Sequence, residues 1–260
     1  MACIFLLLLF LIGCGNAEVG ELKEQYSLHL KDLANIGTYG YRSYFSEIGT
    51  QGTLIVTGRP LDLGVAMPGF FKFSTPEGRI LFSRDGKMFL NPQGELINRD
   101  GYRLEPRVHI AANMEAGSIA VEKDGTLSYR LQPSGQLVTN QLMLFLPGEA
   151  GYLREGNYFS FEPVQAEARI MSGVLEESNV PPLPTFNRLL ELLSYLRMKD
   201  ARRESVYALK SQLIGELKNQ YRAIAGRRAL KLYEDSGGYE KEYQYFLFEL
   251  EQYEPALVLR

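Results

Sequence analysis

Arg79-Ile80-Leu81-Phe82-Ser83-Arg84-Asp85-Gly86-Lys87-Met88-Phe89-Leu90-Asn91-Pro92-Gln93-Gly94-Glu95-Leu96-Ile97-Asn98-Arg99-Asp100-Gly101-Tyr102-Arg103-Leu104 is a chain of short apolar pieces separated by turn residues. Runs of two or three apolar residues are too short for helices, and Gly, Pro, Asn and Asp punctuate them. Asp-Gly tolerates positive φ and closes tight hairpins. The same pairing recurs at Asp124-Gly125, between Ile119-Ala120-Val121 and Leu127-Ser128-Tyr129. From about Gly52 to Ala168 the sequence therefore predicts an antiparallel β domain. A calcium-loop reading of the Asp-Gly pairs fails, because the spaced Asp/Asn ligands and closing Glu of such a loop are missing.

Working outward, the period changes on both sides. Leu22, Tyr26, Leu30 and Leu33 fall at spacings of four and three, which predicts a short helix over Glu21 to Asn35. Gly37 and Gly40 follow it. On the other side, Pro181, Pro182 and Pro184 interrupt the chain before a helical pattern that starts near Thr185, a candidate cap. Phe186, Leu189, Leu190, Leu193 and Leu196 mark one face; Val206, Leu209, Leu213, Leu217, Tyr221 and Ile224 continue a stripe. A single helix from Thr185 to Tyr233 would be roughly 70 Å long; a hairpin broken near Lys199-Asp200 is the alternative. Gly237-Gly238 ends the segment. Tyr239, Tyr243, Phe246, Leu247, Leu250 and Tyr253 predict a last amphipathic helix.

The expected class is α+β: an antiparallel, β-rich central domain flanked by a short N-terminal helix and long C-terminal helices. The helical stripes suit either an intramolecular core or a partner interface.

Ile4 to Ile12 form an unbroken apolar run. It is too short to span a bilayer, which needs about 20 residues, and fits the apolar core of a signal peptide. Leu11-Ile12-Gly13-Cys14 resembles the bacterial lipobox, so Cys14 is the expected lipidation site. That implies an anchored periplasmic lipoprotein, and Gly15 suits outer-membrane sorting. Met1-Ala2-Cys3 lacks the positive charge usual before such a run. The expected divisions are a signal peptide over 1–13, an anchored helix and linker over 14–51, the β-rich domain over 52–172, a motif and long helical segment over 173–235, and a final helix over 236–260.

Chemistry is sparse. Cys3 and Cys14 are the only two cysteines, and His29 and His109 the only two histidines. A disulfide framework, a cysteine zinc site or a histidine triad in the body of the chain is therefore disfavoured. A net charge of −3 argues against broad nucleic-acid binding. The basic residues Lys199, Arg202, Arg203, Arg222, Arg227 and Arg228 suit a solvated face better than a lipid-head contact. The 16 Tyr and 14 Phe supply rings for packing where Trp is absent.

Three separated stretches resemble the flagellar rod and hook family, especially its distal rod members. The first is Leu33-Ala34-Asn35-Ile36-Gly37-Thr38-Tyr39-Gly40-Tyr41-Arg42. The second runs through Pro60-Leu61-Asp62-Leu63, Pro68-Gly69-Phe70-Phe71, Arg84-Asp85-Gly86, Leu90-Asn91-Pro92-Gln93-Gly94-Glu95-Leu96 and Asp100-Gly101-Tyr102. The third is Gly173-Val174-Leu175-Glu176-Glu177-Ser178-Asn179-Val180. Their shared order, not any one piece, carries the likeness. These are scaffold motifs, and none sets a nucleophile beside a base.

The resemblance implies a structural component of the bacterial flagellar basal body. It would act by assembly with rod and hook proteins or with its own copies. Neither cofactor, metal, nucleic acid nor small-molecule substrate is expected. The signal-like start, the short first helix and the long C-terminal region depart from the family. They suggest, as an alternative, an adaptor that docks on the rod or a surrounding ring without polymerising. A peptidoglycan-acting enzyme using Glu176-Glu177 is the reading from another class; adjacency in sequence does not place two carboxylates across a sugar bond.

Overall fold

The computed structural model describes residues 2–66, 68–199, 208–209, 211–213 and 215–216, with the backbone alone for 2–16, 183 and 197. The chain divides into two compact units, one of Met1–Gly37 with Pro181–Arg260 and one of Thr38–Val180.

The first unit is helical. α1 spans Ala2–Ala34, 33 residues, far longer than the short helix expected from Glu21. Its sequence explains the length: no proline falls between residues 2 and 34, and Leu, Ala, Glu and Lys predominate. α2 spans Pro182–Lys199, only 18 residues. The prolines do not interrupt this helix but begin it. Pro182 and Pro184 lie in the first turn, where backbone N–H groups lack intrahelical acceptors anyway. Thr185 is not the cap: its N–H already donates to Pro181 O at 3.1 Å, inside the helix.

The expectation of long C-terminal helices is therefore overturned. The described chain is mostly antiparallel β-sheet with these two helices, and no long C-terminal helix occurs among the described residues. The expected reach to Tyr233 and the final helix from Tyr239 lie outside them. The α1 stripe meets the α2 stripe in a common core of Tyr26, Leu33, Leu189, Leu192, Leu193, Leu196 and Leu213. Tyr26 is fully buried, its hydroxyl donates to Leu209 O at 2.7 Å, and burial raises its pKa above the usual phenol value. Among the described residues no helix is long and apolar enough to cross a membrane.

The second unit holds the strands. In chain order they are β1 (Leu54–Val56), β2 (Leu63–Val65), β3 (Phe71–Ser74), β4 (Ile80–Ser83), β5 (Phe89–Leu90), β6 (Leu96–Ile97) and β7 (Arg103–Glu105). There follow β8 (Ala120–Val121), β9 (Thr126–Arg130), β10 (Leu137–Gln141), β11 (Leu144–Glu155), β12 (Tyr158–Ala166), β13 (Ile170–Ser172) and β14 (Val174–Glu176). The main sheet has seven strands in the order β11-β12-β4-β3-β7-β6-β5. A three-stranded sheet orders β10-β9-β8, and β1-β14 and β13-β2 form pairs. Every named pairing is antiparallel.

Alternation gives the main sheet two apolar faces. Phe71 and Phe73 join Leu63, Val65, Met88, Leu96, Leu104 and Leu127 in the larger core. Lys72 pairs with Phe82 across the strands, so Phe82 belongs to the opposite face. There Phe70, Phe82 and Phe159 form a smaller core with Ile48, Phe145 and Phe161 against it. Phe82 stacks on Phe161 with ring centroids 3.9 Å apart, and Phe70 meets Phe159 edge-on at 5.3 Å.

The Asp-Gly pairs act differently from one another. Gly101 at φ 80° and Gly125 at φ 86° do use the left-handed region, in loops longer than two residues. Asp85-Gly86 closes no hairpin: β4 pairs with β3 and β12, and β5 pairs with β6. Gly86 is needed for a different reason. A Cβ there would lie 1.8 Å from Leu63 O, because Leu63 N donates to Gly86 O at 2.9 Å and brings the backbones together.

Candidate functional site

The three motif stretches converge, in the β unit, on one buried carboxylate. Glu176 ends β14, which pairs with β1 through Leu54–Glu176 register. Its side chain is fully buried between two guanidinium groups. Arg84 Nε donates to Glu176 Oε2 at 2.7 Å, and Arg42 donates to Oε1. Gly52 N also donates to Oε1, at 2.7 Å. Arg84 is held further by Gly69 O at 2.9 Å and Val65 O at 3.1 Å. Burial is tolerable for such ions only when pairing and hydrogen bonds replace lost water.

The backbone around Glu176 closes the same junction. Gly40 N donates to Glu176 O at 2.7 Å, and Glu177 N donates to Thr53 O at 2.8 Å. Gly40 takes φ 66°, and a Cβ there would lie 2.3 Å from the Arg84 carbonyl carbon. Only glycine fits that approach at that φ. Asn179 then fastens the loop over residues 41–50. Its Oδ1 accepts Ser43 N at 2.6 Å, and its Nδ2 donates to Ser46 Oγ at 2.9 Å and Thr50 O at 3.0 Å. Ser178 Oγ accepts Val180 N at 3.2 Å, and Leu175 and Val180 are buried.

Charge in this clasp is unbalanced. Two cations share one carboxylate, and Arg154, which donates to Arg42 O, adds a third nearby. Arg154 also lies over the Tyr44 ring at 3.6 Å and the Tyr41 ring at 4.8 Å. Burial first, offset by Glu176 and deepened by Arg84 and Arg154, pushes the Arg42 pKa down to about 10. Arg42 thus remains cationic at neutral pH.

The remaining motif residues sit apart from the clasp. Asp62 Oδ1 accepts Arg59 Nε at 2.9 Å, and Pro60 O accepts Ser172 Oγ at 2.9 Å. Leu61, Leu63 and Phe71 are in the larger core, Phe70 in the smaller. Asp100, Gly101 and Tyr102 form a loop around buried Asn98, whose Oδ1 accepts Asp100 N at 3.0 Å and Tyr102 N at 2.9 Å. Tyr158 OH accepts from Asn98 Nδ2 at 2.8 Å and donates to Asp100. Leu33, Ala34 and Asn35 lie in the helical unit, where Asn35 Nδ2 donates to Lys31 O at 2.8 Å. Cys14 falls within α1.

Both Glu176 oxygens accept hydrogen bonds, and the side chain is fully buried. Glu177 is exposed, so the adjacent pair does not face a common substrate. Among the described residues no group of three or more His, Cys, Asp or Glu is arranged to hold a metal.

Sequence reading singles out none of Asn98, Arg154 and Tyr158, and includes Arg42 only as the last residue of the first motif stretch. Arg42 left one signal, a lone cation within the aromatic run Tyr39 to Phe45. Asn98 left a local one, an Asn two and four residues ahead of the Asp100 and Tyr102 amides that it accepts; Arg154 and Tyr158 left none, since Arg42 and Asn98 are distant from them in sequence.

Asp85 lies in the loop that carries Arg84. It is 8% exposed, and its Oδ1 accepts Lys87 N at 3.1 Å. Burial, only partly offset by that hydrogen bond and by Arg99 and Lys87, raises its pKa to about 6.

Residues 67–129 match the family model described as the flagellar hook protein FlgE/F/G D1 domain. The chain is 29% identical over 177 residues to the flagellar basal-body rod protein FlgG of Caulobacter vibrioides, covering 67% of this chain and 64% of that protein. It is 35% identical over 98 residues to FlgG of Agrobacterium fabrum, covering 38% and 37%. With the rod protein FlgF of Caulobacter vibrioides it shares 30% over 148 residues, covering 55% and 60%. The chain thus spans less than two thirds of the length of these curated relatives.

Two outcomes are expected. Glu176→Gln leaves two buried guanidinium groups facing an amide and should lose about 3–5 kcal/mol of unfolding free energy. Chemical denaturation measures this, and a loss below about 1 kcal/mol contradicts the clasp. Asp85 holds its proton in the fold between pH 3.8 and about 6, while the unfolded chain releases it. Its contribution to stability therefore falls as pH rises through that window. Asp85→Asn should gain on the native protein across it, by up to about 3 kcal/mol above pH 6. A pH-independent difference between the two denaturation curves contradicts this assignment.

Proposed function

We propose that this chain, a member of the flagellar basal-body rod and hook family, is a structural component of the flagellar basal body that acts by protein–protein assembly. The match of residues 67–129 to the hook-protein D1 domain carries this reading. That segment runs through the larger core, from Phe71 to Leu127. The burial and saturation of Glu176 support a scaffold role over a hydrolytic one. The partners are other rod and hook proteins or further copies of this chain.

The finer placement is a periplasmic, lipid-anchored one. The apolar run Ile4 to Ile12 ahead of Leu11-Ile12-Gly13-Cys14 supports it. An acyl chain on Cys14 would add membrane affinity of about 0.8 kcal/mol per buried methylene.

Deletion of the gene should impair flagellar assembly and swimming; normal motility with intact flagella rejects the structural reading. Cys14→Ser should abolish palmitate labelling and move the protein from the membrane to the soluble fraction. Unchanged fractionation and labelling reject the anchor and leave the rod-family reading in place.

A further inference from the structure

Residues 38–53 carry no strand of the main sheet, yet they are fastened at many points. Most of their fastenings run to a short partner segment; others reach the sheet framework, where Gln51 Nε2 donates to Val65 O at 2.6 Å, Asn157 Nδ2 to Tyr39 O at 3.2 Å and Arg154 to Arg42 O. Gly40, Arg42 and Gly52 bond to Glu176; Thr53 to Glu177; Tyr41, Ser43, Ser46 and Thr50 to Asn179. Ile48 covers the aromatic cluster of Phe70, Phe82 and Phe159. This is a strap laid over an apolar face.

The two sides of the charge cluster are not equally secured. Arg84 has three acceptors fixed by the β framework: Glu176, Gly69 O and Val65 O. Arg42 has Glu176 and, at 3.3 Å, its own neighbour's carbonyl at Tyr41. Its Nε is buried without a hydrogen-bond partner. Arg84 and Arg154 repel it. Detaching the strap returns Arg42 to water and relieves that repulsion, while Glu176 keeps Arg84. Detaching Arg84 would strand a buried ion and two carbonyls. Opening on the Arg42 side therefore costs less than opening on the Arg84 side.

We infer that residues 38–53 open as one cooperative unit, with Arg42 leaving while Glu176 stays on Arg84, and that this motion uncovers the Phe70–Phe82–Phe159 cluster without unfolding the main sheet. The strap is a conformational switch built at the junction of the chain segments that enter and leave the β unit. This inference is independent of the rod-family reading, because it rests on the hydrogen bonds, charges and packing of the β unit.

Native-state hydrogen exchange on the full chain tests it. The amides of Gly40, Ser43, Gly52, Glu177 and Asn179 should exchange through one shared opening. That opening should be faster and less denaturant-sensitive than the opening of Phe73 and Leu81 in β3 and β4. Arg42→Ala should speed the strap amides by about tenfold, the ratio that one charge-assisted hydrogen bond is worth, and speed Phe73 and Leu81 by no more than that factor, because Arg42 has already left in any state that opens the sheet. Arg84→Ala, whose bonds persist while the strap is open, should speed Phe73 and Leu81 and leave the strap amides nearly unchanged. Strap amides that exchange only with global unfolding overturn the inference. So does an Arg42→Ala protein that fails to fold, or an Arg84→Ala protein whose strap amides speed up as much as Phe73 and Leu81.

Discussion

Glu176 between Arg42 and Arg84 is the contact on which the β unit's closure depends. One carboxylate ties together residues 42, 84 and 176, far apart along the chain, and also accepts the Gly52 amide. An ion in this position is costly unless every lone pair is used, since the desolvation penalty is several kcal/mol per ion. Here both carboxylate oxygens accept charge-assisted bonds, which are the strong class. The cluster's value lies in specificity of closure more than in net stability: a hydrophobic plug of the same volume would bury area but would not select this register of strap, loop and strand.

The rest of the unit is arranged to make that junction possible. Gly40 and Gly86 let three backbones approach closer than any side chain permits. The seven-stranded sheet supplies a rigid platform with aromatic packing on one face and the larger aliphatic core on the other. Asp85 is set into the same loop as Arg84, and its buried carboxyl makes that loop sensitive to proton concentration near pH 6. Asn98 and Tyr158 do the corresponding work at the Asp100 loop, using neutral hydrogen bonds around one buried amide.

The helical unit is governed by a simpler rule. α1 and α2 each carry one apolar stripe, and the two stripes meet. Polar contacts sit outside that seam: Lys199 with Glu18 at 3.0 Å, and Arg188 with Gln25 at 3.2 Å. Surface ion pairs of this kind add little; the leucines and Tyr26 hold the unit.

Local pattern was enough to reveal some features of this chain. Alternating apolar pieces and turn residues predicted antiparallel strands between residues 52 and 168, because side-chain period two is a local property. The stripe through Leu22, Tyr26, Leu30 and Leu33 marked a helix face for the same reason. The ordered motifs carried the family likeness. Local pattern misjudges helix extent: it takes the prolines as an interruption ahead of a helix from Thr185, although at a first turn proline removes no needed donor and the helix starts at Pro182. It also assigned Asp85-Gly86 to a hairpin, whereas Gly86 is required by the Leu63 carbonyl brought beside it by β2. Arg42, Glu176 and Asn179 became a clasp only in three dimensions. Sequence alone determined the strand-and-turn character of the middle of the chain and the apolar face of each helix; tertiary structure decided how far the helices run and which charges meet, because pairing between positions some hundred residues apart depends on strand order and backbone approach, and neither has a local period to read.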